Sequence, residues 1–260
     1  MEVRAPGFRH GDWLLCNRPR PSAGIRLFCF PHAGVGASMY RRWPAGLPAD
    51  IEVWAVQMPG RENRIREPAW TSIPALASAV VEALTSHLDR PFALFGHSMG
   101  AVIASEVARE LCAAGGPTPL HLIVSGRGPA HVAGRLPSMV ALSDAEFVAE
   151  LGRRYGGIPP IVQKDANLMA LLLPCLRADI TAIENHRPPT RAAISCPITV
   201  FGGEDDGLAP LEDLERWRSE THGSFRVRRF AGGHFYLDAR RDEVLQDLSS
   251  VLGGRPNGCL

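Results

Sequence analysis

Six short runs along the chain are nearly all apolar or rich in β-branched and aromatic residues: IRLFCF (25–30), IEVWAV (51–56), PFALF (91–95), LHLIVS (120–125), PITVF (197–201) and FRVRRF (225–230). The first five do not alternate, which is the pattern of parallel strands covered on both faces. FRVRRF alternates, which places it nearer a sheet edge. Between the runs the period lengthens. Leu76, Val80 and Leu84 recur at helical spacing within 73–88, and the small-residue stretch 101–114 stops at Gly115-Gly116-Pro117. Strands alternating with helices predict one α/β domain over residues 1–260, built on a mostly parallel, doubly wound sheet.

One interval breaks that rhythm. Roughly seventy residues separate Ser125 from Pro197, where a simple βαβ unit needs about 30, so a helical insertion is expected over 131–190. Ser143 reads as an N-cap with Glu146 closing a capping box and Leu142 stapling onto Phe147; this predicts a helix to Tyr155 that stops at Gly156-Gly157. A second helix, from Asp165 to about Asn185, carries Leu168, Leu172, Leu176, Ile180 and Ile183, with a kink expected at Pro174. Its additional Met169, Leu171 and Leu173 exceed one core stripe. They fit either a second layer of core or a lid whose inner face lines a pocket.

The run PFALF leads into GHSMGA, where Ser98 is flanked by Gly96 and Gly100 between an expected strand and an expected helix. That is the setting of a nucleophile elbow: the glycines remove side chains from a sharp turn that exposes the serine hydroxyl at the carboxyl edge of the sheet. A serine hydroxyl needs a base to take its proton and usually a carboxylate to orient that base, in the chain order Ser, Asp, His on this fold. PITVF opens into GGEDDGLAP and FRVRRF into AGGHFYLD. Acid and histidine thus sit just past strand ends, where open α/β sheets keep their sites. His234 is the candidate base. Asp206 is preferred over Asp205 because Gly203 to Ala209 fits the frame G-x-x-D-x-x followed by a small apolar residue. The oxyanion hole needs the N–H of the residue after the nucleophile, Met99, and one from the loop after an early strand. In PHAGVGAS that second donor is assigned to Ala33, with Gly34 as the fallback and His32 as a side chain that organises the loop.

Composition narrows the partners. With 28 Lys+Arg against 27 Asp+Glu the formal charge is +1, which leaves no electrostatic footprint for nucleic acid or an anionic membrane. Lys164 is the only lysine, a compositional bias and not a function. The six cysteines show no CxxC and read as free thiols in a reducing compartment. The start of the chain lacks an apolar signal-type segment, and the longest apolar run, LMALLLPCL, is broken by Pro174 and shorter than the ~20 residues that span a bilayer. A soluble, cytoplasmic, monomeric protein is expected, with no metal and no cofactor.

The motifs FCFPHAG (28–34), AVQMPGRENRIREP (55–68), PFALFGHSMGA (91–101), LRAD (176–179) and GGHFYL (232–237) together resemble the type II thioesterases of polyketide and nonribosomal peptide biosynthesis, over roughly residues 25 to 240. The medium-chain thioesterases of fatty acid synthesis are similar. The resemblance implies the α/β-hydrolase fold with a helical lid. It also implies hydrolysis of acyl groups from the phosphopantetheine arm of an acyl carrier protein or peptidyl carrier domain, with Ser98, His234 and Asp206 as triad and Ala33 and Met99 as oxyanion donors. Departures lie at Val35, at DGLA (206–209) and at Asn185-His186, and bear on pocket size and not on the triad. RENRIRE (61–67) reads either as a solvated loop with internal ion pairs or as a carrier-docking patch. A carboxylester hydrolase shares fold and triad. A non-catalytic binding module would commonly have lost a triad residue, and all three are present here.

Overall fold

The computed structural model describes residues 13–132, 136–156, 160–188 and 192–253. Among these the strands are β1 Leu14–Leu15, β2 Ile25–Phe30, β3 Ile51–Val56, β4 Phe92–His97, β5 His121–Ser125, β6 Ile198–Gly203 and β7 Phe225–Phe230. They form one seven-stranded sheet in the order β1-β3-β2-β4-β5-β6-β7, parallel except for β1, which runs antiparallel to β3. The expected strands fall in place within one or two residues, and FRVRRF is indeed an edge strand with an alternating half-buried pattern. The two-residue β1 carries too little sequence to show a period.

The helices are α1 Trp43–Gly46, α2 Ile73–Thr85, α3 Met99–Ala113, α4 Asp144–Tyr155, α5 Pro160–Gln163, α6 Ala166–Asn185, α7 Leu211–Glu215, α8 Tyr236–Ala239 and α9 Arg241–Gly253. Because successive strand residues point to opposite faces, β2 sends Phe28 and Phe30 to one core layer and Leu27 and Cys29 to the other. The first layer includes Leu76 and Val80 of α2 and Val102 and Val107 of α3; the second includes Val244, Leu245 and Leu248 of α9. Burial on both faces explains why the central strands read as unbroken apolar runs.

The insertion between β5 and β6 holds α4, α5 and α6; parts of the expected 131–190 segment, and Gly157 with it, lie outside the described residues. The capping box at Ser143 and Glu146 is formed, and α4 ends on Gly156 in the left-handed conformation at φ 75°. Leu142 and Phe147 share a small separate core with Met139, Leu151 and Ile180. Pro174 does not interrupt α6, which runs 20 residues and is long and apolar enough, by length and composition alone, to cross a membrane. Its two halves differ. After Pro174, residues Cys175, Ala178, Asp179, Ile180, Ala182 and Ile183 are buried, whereas Leu168 and Leu171 before it are 40% and 50% exposed. Of the surplus apolar residues, Leu171 is exposed and Met169 half-buried, whereas Leu173 packs against the insertion's own small core.

Candidate active site

Ser98 sits between the end of β4 and the start of α3 with φ 54° and ψ −113°. A non-glycine residue held there costs on the order of 1–3 kcal/mol and persists only where its surroundings fix it. Here they do. A Cβ on Gly96 would lie 2.1 Å from the Gly100 carbonyl oxygen, and one on Gly100 would lie 2.0 Å from that of Phe30. The Ser98 N–H also donates to the Ser125 carbonyl at 2.8 Å. Both glycines are required for backbone to pass backbone, and the serine is locked in the tight turn.

The loops after β6 and β7 bring the other two residues to it. His234 Nδ1 lies 2.8 Å from Asp206 Oδ2, and Nε2 lies 3.1 Å from Ser98 Oγ. A carboxylate only accepts, so Nδ1–H donates to Asp206, which leaves Nε2 free to accept from the Ser98 hydroxyl. The second carboxylate oxygen of Asp206 accepts the Leu208 N–H at 3.0 Å. All three residues are buried, whereas Asp205 and Glu204 are exposed on the same loop. This arrangement can move a proton from Ser98 Oγ to His234 as the oxygen attacks a carbonyl carbon.

A developing oxyanion needs free N–H donors. Met99 is the first residue of α3, so its N–H has no acceptor within the helix. On the loop after β2 the Gly34 N–H donates at 2.7 Å to the Asp179 carboxylate of α6, so the fallback donor is already taken. His32 Nδ1 lies 2.9 Å from the Ala33 carbonyl oxygen. Burial pushes His32 down to about 4, so it is neutral near pH 7 and Nδ1–H donates to its own loop. His97 is fully buried, with Nδ1 2.8 Å from Ser125 Oγ, which in turn lies 2.5 Å from the Tyr236 hydroxyl. It packs behind the elbow, with its ring 5.1 Å from that of His234.

The arginine-rich stretch holds the expected internal ion pair but is less solvated than expected. Arg61 and Arg64 are 2% and 3% exposed, so two of its three arginines face inward. Arg64 pairs with Glu67 and stacks over the Trp13 ring at 4.5 Å. Arg61 reaches α6. Local sequence could not show this, because its partner, Asp179, lies far along the chain.

A cavity of about 440 Å³ is lined partly by residues of the insertion, with Val102, Tyr155, Ile180 and Leu208 on its apolar side and Arg127 and Glu184 among its polar lining. The Tyr155 ring stands 5.3 Å from that of His234, and Leu208 is two residues past Asp206, so the cavity adjoins the triad without being lined by it.

The buried histidines lead us to expect a loss of stability in acid. Burial pushes His32 and His121 down to about 4 and His97 well below its usual value. The unfolded chain binds protons at these positions below about pH 6.5, while the folded chain resists them. Their contribution is therefore complete above pH 6.5 and lost as the pH falls towards about 4. Urea midpoints should decline across that window. His121→Gln, which alters the end of β5 remote from Ser125, should flatten the decline, and an unaltered slope would exclude His121 as a cause.

The parallel sheet, the strand–turn–helix at Ser98 and the helical insertion place the chain in the α/β-hydrolase class. A family model described as a thioesterase domain matches residues 25–252, and the chain belongs to that family. It is 38% identical over 240 residues to the gramicidin S biosynthesis protein GrsT of Aneurinibacillus migulanus, covering 92% of this chain and 93% of that one. Among solved structures it is similar to the RedJ thioesterase from the prodiginine biosynthetic pathway of Streptomyces coelicolor, with a TM-score of 0.84, 38% identity and 96% coverage of each chain. The type II thioesterase BorB from the borrelidin biosynthetic cluster aligns with a TM-score of 0.81 at 36% identity, over 93% of this chain and 96% of its own.

Proposed function

We propose that the protein is a type II thioesterase of a polyketide or nonribosomal peptide pathway. In this reading it acts as a soluble cytoplasmic monomer that hydrolyses misprimed or stalled acyl groups from the phosphopantetheine arm of a carrier domain. The observation that carries the reading is the hydrogen-bonded run from Ser98 through His234 to Asp206 on a strained elbow, in a chain of the thioesterase family. Ser98 attacks the thioester carbonyl while His234 takes its proton, and the tetrahedral oxyanion accepts the N–H groups of Ala33 and Met99. His234 then gives the proton to the departing thiolate. Water, deprotonated by His234, repeats the attack on the acyl-serine and frees the acid. No metal or cofactor enters. The insertion acts as a lid, and the acyl chain occupies the cavity beside Tyr155 and Leu208.

Carrier domains loaded with acetyl, propionyl, medium-chain and extended acyl groups provide the test, with release followed by mass spectrometry. Hydrolysis of at least one acyl-carrier, together with a higher kcat/KM for a thioester than for the oxygen ester of the same acyl chain, is expected. Faster turnover of the oxygen ester, with the carriers untouched, would establish a carboxylester hydrolase instead.

A further inference from the structure

The loop proposed to supply Ala33 is short and glycine-rich, and a peptide plane in such a loop turns easily unless something holds it. Besides the local contact of His32 with the Ala33 carbonyl, what holds it comes from two distant segments. Asp179, fully buried on the inner half of α6, accepts the Gly34 N–H at 2.7 Å and both Arg61 guanidinium nitrogens, Nη1 at 2.7 Å and Nη2 at 2.8 Å. Arg61 also donates to the carbonyls of Val35 and Pro59. Burial alone would lower the Arg61 pKa, but the Asp179 carboxylate outweighs it and holds the guanidinium above its ordinary value. One turn earlier on the same helix face, Leu176 closes on Gly34: a Cβ there would lie 2.3 Å from Leu176 Cδ2, and Gly34 has φ +81°.

The far end of the loop is fixed by the residues around Arg61. Glu62, itself at φ 48°, accepts the N–H groups of Gly36 and Ser38 and the Ser38 hydroxyl. Gln57 accepts the Ala37 N–H and donates to the Arg61 carbonyl. Ala33 packs against both the main core and the insertion's own core, against which Leu176 also packs. The segments PGRE and LRAD thus meet at one loop, although nothing in the proposed chemistry uses them directly.

We propose that Arg61 and Asp179 are positioning residues that form a buried latch between α6 and the oxyanion loop. Asp179 occupies the Gly34 N–H and fixes the peptide before it, so that Ala33 presents the oxyanion donor; Arg61 holds the carboxylate in place by a two-pronged pair. This rests on the proposed reading of Ala33 as an oxyanion donor. It makes the geometry of the hole depend on the seating of α6, so the insertion and the catalytic centre form one mechanical unit.

The test uses Asp179→Asn and Arg61→Lys in the full chain, with a small acyl-thioester and with butylboronic acid, which adds Ser98 Oγ to boron and forms a tetrahedral anion. Asp179→Asn keeps an acceptor for Gly34 but loses the charge; Arg61→Lys keeps the charge but loses the fork. Asp179→Asn should lower kcat by about 10²-fold, the scale of a misplaced reacting group, with KM within about twofold of wild type, as for a group acting only on the transition state. The boronate Ki should rise in proportion. Arg61→Lys should fall between, and decides the matter if Asp179→Asn does not fold. A folded variant with wild-type kcat, or a loss of kcat with an unchanged boronate Ki, overturns the latch. If Ser98→Ala keeps turnover, or the wild type does not bind the boronate, the reading of the site fails and not the latch.

Discussion

Ser98→Ala lowers kcat for an acyl-thioester by roughly 10⁴–10⁶-fold, the range seen when the nucleophile of a triad is removed. The expectation follows from how completely the structure commits this turn to one side chain. Ser98 is held at φ 54° by two glycines that no other residue can replace without a backbone collision, and its hydroxyl is the group within reach of His234 Nε2. Without Oγ no acyl-serine can form, and what remains is the residual catalysis of the oxyanion donors and binding alone. The strain adds an independent readout. Ser98→Gly should be equally inactive yet more stable by about 1 kcal/mol, because glycine removes a left-handed penalty that alanine retains. Steady-state rates and urea midpoints on the three proteins decide this. Turnover by Ser98→Ala at the wild-type rate would end the assignment.

What the sequence made legible was whatever depends on near neighbours or on simple periods. Residues buried on both faces gave the central strands and their order of helices. Ser143 and Glu146 marked the start of α4 because a capping box lies within four residues. The elbow showed itself because both glycine constraints lie two positions from Ser98. Distant pairings stayed hidden. Nothing near Gly34 in the sequence shows that its N–H is already taken; the acceptor is Asp179 on α6. Nothing in RENRIRE distinguishes a solvated charge from a buried one, since the carboxylate that Arg61 meets inside the fold is that same distant Asp179. One signal was available. Asp179 lies on the stripe of Leu176, Ile180 and Ile183, and a carboxylate among buried apolar positions needs a cation. α6 runs through Pro174 as its apolar period predicted, because the residues of its second half are buried against the fold.

Asp206→Asn tests the proposed acid of the triad, and the hydrogen bonds of Asp206 say why so small a change should matter. Asp206 uses one oxygen to accept the Leu208 N–H at 3.0 Å and the other to accept His234 Nδ1–H at 2.8 Å. Asparagine has a single carbonyl oxygen. If that oxygen keeps Leu208, the amide NH₂ faces Nδ1, which must then accept, and the imidazole proton moves to Nε2 against Ser98. If the amide turns over, its NH₂ opposes the Leu208 N–H in a buried site, where an unmet donor costs about 1–3 kcal/mol. The first arrangement is the less costly and holds the base in the wrong tautomer, so kcat should fall on the order of 10⁴-fold. KM should change little, because no substrate contact is lost. Asp205 is one residue away, exposed, and tied to the loop through its backbone N–H, which donates to the Gly232 carbonyl at 3.0 Å. Asp205→Asn leaves that bond intact and should keep kcat within about twofold of wild type, as surface substitutions commonly do. A larger loss for Asp205→Asn than for Asp206→Asn would transfer the orienting role to Asp205, against the burial and the hydrogen bonds of this loop.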